Sequence, residues 1–224
     1  MTPQTIAGAA EYWDRYYGEE FVFGLGTEYI LRMLLKVAPA GTWLDLGAGS
    51  ESLLWCIPLR ARRLIAADAD PQRLARLRAY AAAGQPRGAY RTALELCDRS
   101  PADYIRRCRA LAATVAANCL TGRPLPFRTG SADLITQFGL LGLARDATSF
   151  LDCWQHAHAV LAAGGWCAGA NWNATAAHDR VTLTRQLYAR AFTAAGITPL
   201  LITRVPIDGD ADFDSVWIYL GRKT

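Results

Sequence analysis

The sequence lacks any long uninterrupted hydrophobic run. Its longest apolar stretches are broken by a charged residue or a glycine within about a dozen positions, too short for a helix that crosses a bilayer. Residues 1–11 also lack the basic patch followed by an apolar segment that marks a secretory signal peptide. These absences predict a cytoplasmic protein without a membrane partner.

Patterns typical of metal sites and disulfide frameworks are also missing. The six cysteines are scattered without CxxC spacing, which indicates reduced, mostly buried thiols in a chain of 224 residues. His156 and His158 stand two positions apart on a predicted helix, so that their side chains point to different faces. We therefore expect no metal.

Basic residues slightly outnumber acidic residues, 24 to 20. The arginines gather around 60–63, 73–78 and 106–109, interleaved with apolar residues. This pattern is typical of solvated helix faces, and we favour that interpretation over a patch that binds nucleic acid. A hydrophobic content of 52% excludes a disordered chain.

Apolar strands alternate with amphipathic helices, which predicts a parallel sheet covered on both faces. An acidic loop rather than a helix joins the last two strands, so we expect a doubly wound, mostly parallel seven-stranded α/β sheet whose last strand is antiparallel. Residues 85–100 are ambiguous, and a short helical stretch runs from Ser52 to Pro58. The predicted strands are 42–46, 63–68, 113–120, 132–138, 166–172, 198–205 and 214–221, and the predicted helices are 9–17, 27–38, 71–83, 101–111, 147–162 and 179–195.

A glycine-rich turn, DLGAGS at 45–50, follows the first strand. Gly47 and Gly49 permit a tight turn and let a ligand approach the backbone, and the helix start behind them offers free N–H groups. The dinucleotide fingerprint GxGxxG would need glycine at position 52, where Ser52 stands. The turn therefore indicates a ligand site but argues against an NAD site.

Two acids mark the end of the second strand. Asp68 stands at the strand tip, 23 positions after Asp45, where an acid can accept both ribose hydroxyls of a bound nucleoside. Asp70 is predicted to cap the following helix, which begins at Pro71. The alternative is that both acids serve only as caps.

Four segments resemble, in order, the successive motifs of class I S-adenosylmethionine-dependent methyltransferases. They are DLGAGS at 45–50, AADADPQRL at 66–74, LPFRTGSADLITQF at 125–138 and VLAAGGW at 160–166. The resemblance implies a Rossmann-like methyltransferase fold that binds S-adenosylmethionine. It also implies one methyltransferase domain over 1–224, with its core at 42–224.

A narrower resemblance covers nearly the whole chain. YWDRYY at 12–17 looks like the YLxxYY segment of the nicotinamide, phenylethanolamine and indolethylamine N-methyltransferases, and residues 94–125 look like that family's insertion. It implies an N-terminal helical lid over 1–38, in which Tyr17 holds the methionine carboxylate and Tyr12 borders cofactor and substrate. The alternative is that the tyrosines only pack a helix onto the core. The other cofactor-binding residues predicted are Asp45, Gly47, Ala48, Gly49, Asp68, Ala69, Arg73, Asn118, Cys119, Leu120 and Phe138.

The chain departs from that family at two positions. Cys119 stands where the family has an aspartate against the adenine amino group, and a thiol is a poor partner for an exocyclic amine. Adenine recognition must then rely on the backbone, Asn118 or packing. Glu51 occupies a position that is normally small or hydroxylated, near the methionine end, and either pairs with the ammonium or points away.

The resemblance places the acceptor near Asn171 and the acidic loop 208–214. We predict Tyr12 and Asn171 as catalytic residues and Tyr12, Asn171 and Asp212 as substrate contacts. The alternative for Asn171 is a polar strand ending, and the alternative for the acids of the loop 208–214 is a solvated turn. The predicted reaction is methyl transfer to a small-molecule amine or ring nitrogen, which needs no strong base. Alternatives are a small-molecule O-methyltransferase, a nucleic-acid or protein methyltransferase, and a non-methylating protein of this fold. Enzymes that methylate adenine nitrogen have a [DN]PP[FY] run after the fourth strand, where this chain has TQFG at 136–139. This difference argues against the nucleic-acid alternative.

Overall fold

A seven-stranded sheet lies at the centre of the structure, a computed structural model that describes residues 20–175 and 180–224. Its strands are β1 (Ala40–Leu46), β2 (Ala61–Asp68), β3 (Leu111–Ala116), β4 (Ala132–Phe138), β5 (Leu161–Ala174), β6 (Ile197–Pro206) and β7 (Phe213–Lys223). Their order is β3-β2-β1-β4-β5-β7-β6. The pairs from β3 to β5 are parallel, whereas β7 is antiparallel to β5 and β6. The predicted architecture, including the antiparallel last strand, is confirmed.

Helices cover both faces of this sheet. They are α1 (Thr27–Leu34), α2 (Ser52–Trp55), α3 (Pro71–Ala83), α4 (Ala89–Leu96), α5 (Pro101–Cys108), α6 (Ala147–Ala159) and α7 (Arg185–Ala194), with a 3-10 turn at Leu141–Leu143. Within the described ranges no helix is long and apolar enough to cross a membrane.

Alternating strand residues feed two hydrophobic cores, one on each face. On the paired strands β1 and β4, Trp43 and Leu134 enter one core, while Leu44 and Ile135 enter the other. This is the period of two expected for strands buried on both sides. All six cysteines are buried, as predicted.

Local signals in the sequence determine several element boundaries. The Asp70 carboxylate accepts the N–H groups of Gln72 and Arg73, Pro71 opens α3, and Gly84 ends it with φ of 62°. The structure thus confirms the predicted cap and both ends of this helix. β4 also has its predicted bounds.

Other boundaries differ from the predictions. The ambiguous segment 85–100 contains α4, which begins after Gly88 with φ of 51°. α7 begins at Arg185 rather than 179 because Thr184 caps it by accepting the N–H of Leu187. β5 extends to Ala174 because β7 pairs with it that far. The predicted helix 9–17 lies outside the described residues, and the predicted lid over 1–38 is described only from residue 20 onward.

Candidate functional site

A cavity of about 930 Å³ opens at the carboxyl ends of β1, β2, β4 and β5. In an open α/β sheet this edge is where ligands bind, because the loops that follow neighbouring strands converge there. The lining includes Asp45 and Asp68 at the strand ends, the glycine turn 47–49 and Phe138. The volume lies in the range of cavities that hold cofactors and small molecules.

The glycine turn and Asp68 form one fixed unit. Gly47 and Gly49 have φ of 63° and 53°, in the left-handed region that favours glycine. The two Asp68 carboxylate oxygens accept the N–H groups of Gly49 and Asp70, each at 2.8 Å. Each oxygen keeps a further lone pair, so the carboxylate remains able to accept hydroxyl groups of a ligand.

Asp45 is a buried acid held by two hydroxyl groups. Ser52 Oγ donates to one carboxylate oxygen at 2.5 Å and Thr136 Oγ1 to the other at 2.6 Å. Trp43 Nε1 in turn donates to Thr136 Oγ1 at 2.6 Å. Burial raises the pKa of Asp45 to about 7, against the lowering effect of the two hydroxyl donors.

Glu51 is a second buried acid and lines the same cavity. The Ser50 hydroxyl donates to one carboxylate oxygen, and the Tyr90 hydroxyl donates to the other at 2.9 Å. Burial raises the pKa of Glu51 to about 7, while these hydrogen bonds and the charges of Arg87 and Arg73 oppose the rise. Its side chain therefore does not point away into solvent.

These two acids predict that stability falls as the pH rises. Their pKa values are about 7 in the folded protein, above the ordinary values of 3.8 and 4.5. At pH values between the ordinary and the raised pKa, the folded state therefore binds more protons than the unfolded state. We expect the free energy of unfolding to fall between about pH 4 and pH 8 by about 4 kcal/mol for Asp45 and about 3 kcal/mol for Glu51. Burial lowers the pKa of His158 to about 4, which makes stability rise with pH below about pH 6.5. Urea unfolding of an acid-to-amide variant and of the unaltered protein at a series of pH values therefore measures the contribution of each acid.

Glu51→Gln isolates one of the two contributions. The difference in unfolding free energy between the protein and this variant should change with pH by roughly the contribution of Glu51, about 3 kcal/mol. Glu95→Gln, at an exposed position of α4, is the matched control and should leave the pH profile unchanged. An identical pH profile for Glu51→Gln and the unaltered protein would contradict the assignment.

The cavity brings the predicted cofactor residues together. Every one of them within the described ranges contributes to its lining, namely Asp45, Gly47, Ala48, Gly49, Asp68, Ala69, Arg73, Asn118, Cys119, Leu120 and Phe138. Tyr12 and Tyr17 lie outside the described residues. The positions carried over from four separate segments therefore converge on one site.

The segment predicted to face adenine is held by short-range hydrogen bonds between its side chains and its backbone. Asn118 Oδ1 accepts the N–H of Leu120 at 2.9 Å, and the Cys119 thiol donates to the carbonyl of Ala117 at 3.7 Å. Burial raises the pKa of Cys119 to about 12, so the thiol stays neutral. Cys119 and Leu120 therefore form an apolar part of the cavity lining.

Aromatic side chains form part of the cavity wall, and of these only Phe138 was predicted. Trp55 stacks on Phe138 with ring centroids 4.1 Å apart, and Phe21, Trp172 and Phe213 add to the lining. Besides Phe138, Trp172 was indicated by the sequence, as part of the polar strand ending at 171–173. The others come from segments far apart in the chain, and no local pattern marks them.

The structure corrects the prediction for Asn171. Its side chain is fully buried and is not part of the cavity lining; its Oδ1 accepts the N–H of Gly142 at 2.8 Å, and its Nδ2 donates to Tyr188 Oη at 2.9 Å. Alternation along β5 explains this, because Trp172 takes the cavity face and Asn171 the opposite one. Asn171 therefore holds the turn at Leu141–Leu143 in place rather than contacting a substrate.

Asp212 is also absent from the described cavity lining, which includes its neighbour Phe213 instead. Asp210 Oδ1 accepts the N–H groups of Asp212 and Phe213 at 2.8 and 2.9 Å, and the Asp212 carbonyl accepts the N–H of Thr175. The acidic loop thus shapes the entry into β7, and Phe213 is the residue that it presents to the cavity.

No protein-family model matches the chain, and no curated protein matches it either. Solved structures match its fold. The complex between the Haloferax volcanii Trm112 methyltransferase activator and a methyltransferase aligns with a TM-score of 0.61 at 16% identity, over 96% of this chain and 95% of that chain.

Two further structures agree. The N-methyltransferase NodS of Bradyrhizobium japonicum, in complex with S-adenosyl-L-homocysteine, aligns with a TM-score of 0.58 at 16% identity, over 88% of this chain and 85% of that chain. A geranyl diphosphate methyltransferase in complex with SAM aligns with a TM-score of 0.58 at 14% identity, over 88% of this chain and 84% of that chain. At these identities the likeness establishes the Rossmann-like methyltransferase fold.

Proposed function

We propose that this protein transfers a methyl group from S-adenosylmethionine to a nitrogen atom of a small molecule, an amine or a ring nitrogen. The observation that carries the proposal is the Asp68 carboxylate, fixed by the glycine turn at the edge of a cavity large enough for a nucleoside cofactor and an acceptor. The structures of similar fold include proteins that were solved with S-adenosylhomocysteine or SAM.

The residues of the cavity fit such a cofactor. Asp68 would accept the ribose hydroxyls, the backbone at Gly47–Gly49 would allow close approach of the chain that joins ribose to methionine, and Cys119 and Leu120 would pack against adenine. When bound, the cofactor supplies an electrophilic methyl group on a sulfonium. The protein contributes alignment of the two reactants and exclusion of water.

The aromatic wall supports a nitrogen acceptor that arrives without a proton. Trp55, Phe138, Trp172 and Phe213 present apolar faces to the cavity, and burial against such surfaces lowers the pKa of an amine. The lone pair is then free for in-line attack on the methyl carbon without a strong base. A flat ring nitrogen would in addition stack on this wall.

Methyl transfer is tested by incubating the protein with S-adenosylmethionine and a panel of aromatic amines, ring nitrogens, aliphatic amines and phenols. The expected result is formation of S-adenosylhomocysteine that depends on a nitrogen acceptor, with the methylated product identified by mass spectrometry. Turnover with phenols alone would contradict N-methylation. Calorimetry that detects no binding of S-adenosylhomocysteine would contradict the proposed cofactor.

A further inference from the structure

Glu51 is a buried acid with acceptor capacity that its protein partners do not use up. The carboxylate offers about four lone-pair positions. The hydroxyl groups of Ser50 and Tyr90 each take one of them, one on each oxygen. The side chain is 5% exposed and lines the cavity, so the remaining positions are within reach of a bound ligand.

Glu51 follows the glycine turn that binds Asp68, and both acids line the same cavity. Gly49 donates its N–H to Asp68, Glu51 follows two residues later, and Trp55 comes one helical turn after Glu51 and stacks on Phe138 at the end of β4. The cavity wall therefore runs from the tip of β2, over the turn, to Glu51 and the tip of β4. Because Asp68 and Glu51 line the same cavity, a ligand whose ribose binds Asp68 can extend towards Glu51.

The surroundings of Glu51 favour a cationic partner for it. A buried carboxylate is held in its neutral form by desolvation, and a cation close to it restores the ionised form. The charged and titratable groups that face it are Tyr90 of α4, Arg87 just before α4, and Arg73 of α3. The two arginines lower the pKa of Glu51, but burial still raises it to about 7. Their charges therefore do not offset the desolvation, and a further cation at the unused carboxylate positions would stabilise the ionised form.

We propose that the Glu51 carboxylate binds the α-ammonium group of the cofactor's methionine part, and so selects nucleosides that carry an amino acid over those that do not. This inference rests on the proposed function, since it assumes a cofactor of that kind. In this proposal two acids bind two parts of the ligand: Asp68 binds the ribose, and Glu51 binds the ammonium group.

The proposal implies that a proton leaves Glu51 when the cofactor binds. The free carboxyl group has a pKa of about 7 and is therefore largely protonated near pH 6, whereas pairing with an ammonium requires the carboxylate. The proton passes to the buffer. Affinity for ligands with the ammonium should then rise from pH 6 to pH 8, while affinity for ligands without it should stay level.

Calorimetry with S-adenosylhomocysteine and 5′-methylthioadenosine tests this. The two share nucleoside and thioether, but only the first carries the amino acid. Glu51→Gln is expected to weaken binding of S-adenosylhomocysteine about ten- to a hundred-fold and to change binding of 5′-methylthioadenosine less than about twofold. Titrations of S-adenosylhomocysteine at pH 6 in buffers of different ionisation enthalpy should show proton release that disappears in the variant.

Two further variants keep the test decisive. Tyr90→Phe retains the acid and removes a hydroxyl that orients it. This variant should weaken binding of S-adenosylhomocysteine less than Glu51→Gln does, and it should leave binding of 5′-methylthioadenosine unchanged. Glu95→Gln on the exposed side of α4 should bind both ligands like the unaltered protein. Equal losses for both ligands, or unchanged affinities in Glu51→Gln, would overturn the role of Glu51. If the unaltered protein binds neither ligand, the proposed function itself fails.

Discussion

Asp68→Ala is expected to weaken binding of S-adenosylhomocysteine by at least about a hundred-fold. Two ribose hydroxyls lose a charged acceptor, and hydrogen bonds to charged groups contribute about 1.5–3 kcal/mol each. The substitution also removes the acceptor for the N–H groups of Gly49 and Asp70, so that the glycine turn loses its anchor. Isothermal titration calorimetry of the purified variant measures the change directly.

The control for Asp68→Ala is a second aspartate outside the cavity. Asp146 caps α6 by accepting the N–H of Ser149, so Asp146→Ala removes an aspartate that also binds backbone but does not line the cavity. It should lower stability slightly through loss of the helix cap and leave ligand affinity unchanged. The ribose assignment is wrong if Asp68→Ala binds S-adenosylhomocysteine as tightly as Asp146→Ala does.

Asn171→Ala is expected to lower the free energy of unfolding by about 2–5 kcal/mol. The variant leaves the Gly142 N–H and the Tyr188 hydroxyl without their partner in a fully buried place, and each unsatisfied group costs about 1–3 kcal/mol. Because Gly142 and Leu143 line the cavity, loosening of their turn should also weaken ligand binding. Urea unfolding and calorimetry measure both effects.

A substrate contact at Asn171 would behave differently. It would lower kcat/KM while leaving stability and cofactor affinity intact. Asn173→Ala, at a half-buried position further along β5, is the matched control and should cost less than about 1 kcal/mol. A stable Asn171→Ala protein with a selective loss of kcat/KM would restore the original prediction and remove the structural role.

Much of the fold was predictable because its signals are local. Asp70, Pro71 and Gly84 mark both ends of α3 within one segment, and residues 132–138 form a strand with the predicted bounds. The predicted cofactor residues follow strand ends or the glycine turn. Since parallel strands end at the same edge of a sheet, residues from four segments were expected to meet, and they do.

What could not be predicted depends on contacts between distant segments. Asn171 and Trp172 are neighbours, and strand alternation states only that they face opposite sides; which side holds the cavity depends on the turn at Leu141–Leu143. Glu51 is held by Tyr90, 39 positions later, inside the segment whose structure the sequence left ambiguous. The aromatic wall likewise assembles from residues without a shared pattern.

The strand order also has a consequence for the time course of folding. β6 and β7 are consecutive in the chain and pair with each other, whereas β1 pairs with β4 and joins Asp45 to Thr136, 91 positions apart. Closing so long a loop is slow compared with forming the pairs nearby. The cavity is lined by residues at the ends of both β1 and β4, so it forms only after these strands pair. We therefore expect refolding chains to gain sheet structure, measured by circular dichroism, before they gain the ability to bind S-adenosylhomocysteine.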